Sequence, residues 1–123
     1  MNNLILSKLD VSKCNVTKHL ISNAGTPTIA ATTSGDGTCT ISGDDVCGNI
    51  TFANTWADSD TAVVTFANAY DNPPTVLITC GAVINGSGVS TVEIDTIATT
   101  TTNFTLTTSG TAAGSVGYLV IGQ

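Results

Sequence analysis

The chain has 123 residues, a length for one domain with one real core. All three lysines (Lys8, Lys13, Lys18) lie in the first eighteen residues, arginine is absent, and nine acids bring the formal net charge to −6. A body with eight acids and no cation after His19 repels phosphate backbones and anionic bilayers, so the expected partners include no nucleic acid and no membrane.

Thr is the commonest residue, long straight helix formers are scarce, and Gly numbers 12. β-Branched residues with Gly-rich turns predict an all-β fold, an antiparallel β-sandwich. The opening run Leu4-Ile5-Leu6 is too short for a secretory signal, which predicts synthesis in the cytoplasm.

In chain order, residues 1–25 stand apart. Leu6, Leu9, Val11, Val16, Leu20 and Ile21 are spread among polar, weakly helical residues, which suits short extended pieces. The segment has too few apolar groups for a core of its own and needs a partner. "NAGTPT" marks the boundary, and 26–123 forms the sandwich domain. Strands are predicted at Thr28–Thr33, Thr38–Ser42 and Cys47–Ala53, with Ile50 and Phe52 on one face. "NTWADSD" reads as a loop holding the only tryptophan. Thr61–Asn68 puts Ala62, Val64 and Phe66 inward, and Thr75–Ala82 does the same for Val76, Ile78 and Cys80. Ser90–Ala98 turns Val92 and Ile94 inward, and Phe104 and Leu106 follow. The last strand, "VGYLVIG", is apolar on both faces, so both should be covered, by a layer of the same chain or by another subunit.

Chemistry is sparse. The single histidine, His19, has no nucleophile elbow to serve, and the acid pairs do not face each other across a cleft, so no enzyme, catalytic residue or cofactor is expected. "SGDGT" and "ADSD" fall short of a calcium-loop pattern, and no metal is expected. With no cation nearby, the acids must sit at the surface or hold a metal. Four N-x-S/T matches, at Asn15, Asn49, Asn85 and Asn103, are what a chain this rich in Ser and Thr produces by chance. Cys39 and Cys47 flank a hairpin; they are either free or bridged. Sugar sites combine an aromatic face with amides and carboxylates, and Trp56 with Asn54, Asp58 and Asp60 is the ligand-binding candidate. Tyr70-Asp71-Asn72, at a Pro-rich corner, has similar chemistry; Trp56 could instead plug one end of the sandwich.

Four stretches carry a resemblance: "SGDDVCGNITF" (42–52), "AVVTFANAYDNPPTVLIT" (62–79), "TTTTNFTLTTSG" (99–110) and "GYLVIGQ" (117–123). Together they resemble the small β-sandwich domains at the ends of bacteriophage tail fibres and related viral fibres, and they are similar to H-type lectin-like domains. The resemblance implies a non-enzymatic virion-surface protein, a fibre tip or decoration, forming a homotrimer, contacting other virion proteins and binding a host glycan or receptor. It makes the corner at Phe66–Pro74 scaffold and residues 1–25 a shaft-like, intersubunit segment. Two alternatives stay open: a purely structural virion or capsid protein, and a cellular lectin of the H type. Cys47 and Cys80 depart from the family's pattern, which has small or apolar residues there.

Overall fold

The computed structural model describes residues 24–85, 88–91, 94–111 and 114–122. Nine strands form in chain order: β1 (Thr28–Thr32), β2 (Thr38–Gly43), β3 (Cys47–Ala53), β4 (Trp56–Thr65), β5 (Thr75–Asn85), β6 (Gly88–Thr91), β7 (Ile94–Thr99), β8 (Asn103–Thr111) and β9 (Gly114–Ile121). They build two antiparallel sheets, ordered β1-β4-β8-β7 and β2-β3-β9-β5-β6. The fold is the predicted all-β antiparallel sandwich.

Period-two alternation explains the packing. Ile50 and Phe52, Ala62 and Val64, Phe104 and Leu106, and Val116, Tyr118 and Val120 all turn inward and are buried. Phe66, just past β4, joins them, while Val76, Ile78 and Ile94 pack against the cluster half-buried. Val92 and the side chain of Cys80, also expected inside, lie outside the described residues. So do residues 1–23; of the expected shaft-like segment only Ala24 and Gly25 are described.

Two expectations change, and one open alternative is decided. "NTWADSD" is not a loop: β4 begins at Trp56, and a bulge between Asp58 and Thr61, with Ser59 at φ 69°, absorbs one extra residue. Ser90–Ala98 is not one strand, because β6 and β7 lie in different sheets. Cys39 and Cys47 are free, not bridged. Cys39 stands opposite Phe52 and Cys47 opposite Leu119, five residues apart along β3, or about 17 Å at ~3.3 Å per residue.

Candidate functional site

The sandwich has two loop ends, and polar side chains gather at both. The first joins β1 to β2 and β3 to β4, and it holds the four residues expected to bind a sugar. Asn54 takes a left-handed backbone, φ 64°, which Asn tolerates, and makes the tight step from one sheet to the other. Its amide donates to the Asp36 carbonyl at 3.0 Å, and the Asp36 carboxylate accepts from the Thr55 N–H at 3.1 Å. Asn54 and Asp58 remain exposed. Trp56 does not: it is 2% exposed, meets Phe52 edge to face with centroids 4.9 Å apart, and donates its indole N–H to the Ala53 carbonyl at 3.1 Å. No face of the ring is free for stacking on a ligand. Asp60 is buried as well. Its two oxygens accept from the Ser34 N–H at 2.8 Å and the Ala57 N–H at 2.7 Å. The Ala57 bond lowers its pKa against the opposing effect of burial, and Ser34 adds to the lowering. The Thr108 hydroxyl, buried opposite, donates to the carbonyls of Ala57 and Asp60. The structure thus brings the four residues to one end, leaves two at the surface and spends two on the core.

The other end is built on Asp45, one of the acids expected at the surface or on a metal. Gly43, at φ 119°, opens the β2–β3 turn, and the Asp44 carboxylate closes it by accepting from the Val46 and Cys47 N–H groups. This aims Asp45 inward, where it is 2% exposed. Its two oxygens accept from the N–H groups of Ala67 at 2.7 Å and Asn68 at 2.8 Å, at the corner after β4. Its backbone N–H donates to Gly25, and its carbonyl accepts from the Tyr70 hydroxyl at 3.0 Å. Tyr118 donates its hydroxyl to the Asp44 carbonyl at 2.6 Å, and the Val120 N–H bonds the Val46 carbonyl at 2.7 Å. Phe66 and Tyr70 bond Thr102 and Thr101 through their backbones. Tyr118 lies across from Gly48, where any Cβ would come within 2.6 Å of its hydroxyl. Burial, then the nearby Asp44 charge, pushes the Tyr118 phenol up to about 12, and burial with Asp45 and Asp44 also raises that of Tyr70.

Asp45 and Asp60 therefore depart from the surface-or-metal expectation, while Asp36 and Asp58 stay exposed. Among the described residues no cation meets either buried carboxylate; each is met instead by two backbone N–H groups. The sequence signal for this was available but ambiguous: an Asp beside a turn glycine or in a bulge is also ordinary turn chemistry. Among the described residues there is no pocket and no cluster of three or more metal-ligating side chains, and no helix is long and apolar enough to cross a membrane.

Geometry defines the class: an antiparallel β-sandwich laced at both ends by buried aspartates. Set against models of protein families, curated proteins and solved structures, the chain matches none.

Proposed function

We propose that the chain is a non-enzymatic structural module of a virion surface, a fibre tip or decoration, made in the host cytoplasm and presented as a homotrimer among other virion proteins. The observation that supports this reading most is a convergence. The four stretches that resemble viral fibre-tip domains supply the segments that interlock around Asp45: the 42–52 turn, the 62–79 corner, Thr101 and Thr102, and Tyr118 with Val120. A motif shared through its interlocking residues is a motif of architecture, and architecture is what a virion part needs. Antibody labelling of purified virions, viewed by electron microscopy, tests the location. Light scattering tests the trimer, which a monomer at micromolar concentration refutes.

Host-glycan binding belongs to the same proposal, at the end bearing Asn54 and Asp58. Three copies of a loose site gain by avidity. The burial of Trp56 and Asp60 favours the second reading, a structural virion part with no receptor role, because it removes the aromatic platform. A glycan array separates the two. Binding abolished by Asp58→Ala in a folded chain supports the receptor role; no binding by the native chain supports the structural one.

A further inference from the structure

The outer face of the five-stranded sheet carries an apolar strip that nothing in the described residues covers. Leu119 and Leu77 stand in one register row with Cys47, and Ile121 follows beside Thr75. Leu77 is 49%, Leu119 42% and Ile121 49% exposed, and Cys47 is exposed too. The surrounding outward positions on β2, β3, β9 and residues 75–79 of β5 hold Thr, Ser, Asn, Ala or Gly, and no charge. A free sheet face normally carries charges, and depletion of charge around an apolar centre is the composition of a covered surface.

The chain itself points to the occupant. Its described part begins at Ala24, and Gly25 accepts from the Asp45 N–H at 3.2 Å. From Asp45 it is one residue to Val46, bonded to Val120, and one more to Cys47 on the strip. The described chain therefore begins near the foot of the strip. At ~3.3 Å per residue the residues before Ala24 have a reach of about 75 Å, whereas β3 to β5 spans about 10 Å, two strand spacings. The segment has apolar residues at Leu4, Leu6, Leu9 and Val11 and all three lysines of the chain, while the described body has acids and no Lys, Arg or His. The segment's apolar residues match the apolar strip, and tethering at the edge of the strip gives the segment a high effective concentration there.

We propose that residues 1–23 fold back within the same chain over the outer face of β3, β9 and β5 and cover Leu77, Leu119 and Ile121. The inference departs from the shaft-like, intersubunit role that the resemblance implies for residues 1–25, and it does not need the virion reading.

Two cysteines make it testable, Cys14 in the segment and Cys47 on the strip. Maleimide labelling at Cys47, followed by mass spectrometry, should run on the order of tenfold slower in the full chain than in one lacking residues 2–23, as expected of a site reached through local opening. The same rise should appear in a full-length chain with Leu4, Leu6, Leu9 and Val11 all replaced by Ser, which keeps the test valid if the truncation does not fold. Equal rates in all forms overturn the proposal. A short bismaleimide should link Cys14 to Cys47 within one chain. Links only between chains, or protection lost on dilution, give the strip to a second copy and overturn it equally.

Discussion

The two ends of the sandwich use the same device to different extents. At each, one buried aspartate accepts two backbone N–H bonds. Asp60 joins Ser34, 26 residues before it, to Ala57, three residues before it, and so it ties the β1–β2 loop to the bulge of β4. Asp45 joins the β2–β3 turn to the corner after β4, while its own backbone holds Gly25 and Tyr70, and its neighbours Asp44 and Val46 hold Tyr118 and Val120. Both ends join segments distant in sequence, and the difference that teaches where cooperativity resides is their number: the Asp45 end gathers Gly25, the β2–β3 turn, the corner after β4 and β9, whereas Asp60 joins the β1–β2 loop to its own bulge.

The largest expected effect tests whether both ends share one core. Phe66 meets Tyr70 edge to face and Phe104 at a tilt at one end, and Trp56 packs edge to face on Phe52 at the other. Phe66→Ala and Trp56→Ala should each lower stability by about 3–5 kcal/mol. Urea unfolding measures both. A Trp56→Ala loss under about 1 kcal/mol would contradict its place in the core and return the ring to the surface as a ligand platform.

How much of this was legible in the sequence follows from which interactions are periodic. The sandwich, and the inward faces of β3, β4 and β8, were readable because alternation at Ile50/Phe52, Ala62/Val64 and Phe104/Leu106 is a local pattern. Trp56 was read as a loop residue because the bulge at Asp58/Thr61 breaks the alternation that would have marked it as strand. Asp45 was invisible as a staple because its partners, Ala67 and Asn68, are backbone groups at |i−j| of 22 and 23. A backbone N–H has no residue type, so no motif announces it. The residues of the corner "FANAYDNPP" fit a site or a scaffold and the resemblance implies a scaffold; the Tyr70 hydroxyl, bonded to the Asp45 carbonyl, gives it a scaffold role.

A smaller effect comes from Asp45 itself. Asp45→Ala leaves the Ala67 and Asn68 N–H groups without their acceptor in a partly buried place and should cost about 1–3 kcal/mol. Asp45→Asn keeps one acceptor oxygen and should cost less. Hydrogen exchange locates the damage: the amides of Ala67 and Asn68 should lose protection first, ahead of those in β8. Uniform loss across both sheets would argue that Asp45 does not hold the corner.

Tyr118→Phe removes one hydroxyl bond to the Asp44 carbonyl and should cost about 1 kcal/mol. The same residue sets an alkaline limit. Its phenol, pushed up to about 12, titrates above the ordinary value of about 10, so its contribution is complete below pH 10 and is lost as the pH rises through 12. Phenolate absorbance should show Tyr118 ionising late in the native chain. If Tyr118→Phe has the same alkaline stability profile as the native protein, the hydroxyl is not buried against Asp44.

The smallest effect belongs to Asp60, and its sign follows from its partners. The Ala57 and Ser34 N–H groups favour the charged carboxylate, so its folded pKa lies below the unfolded value. Its contribution to stability is therefore present above an unfolded pKa of about 3.9 and is lost as the pH falls through the folded one. Asp60→Asn keeps an oxygen for one N–H and turns an amide toward the other, so the variant should be less stable than the native chain at neutral pH. On acidification the native carboxyl becomes protonated, and the gap between the two proteins should narrow. Urea midpoints for both chains, taken from pH 7 down to pH 2, isolate this group, because every other acid titrates in both. A gap constant with pH would mean that charge at Asp60 does nothing for the fold. A gap wider than that of Asp45→Asn at neutral pH would reverse the ranking of the two ends, since it would make the staple that joins fewer segments the stronger one.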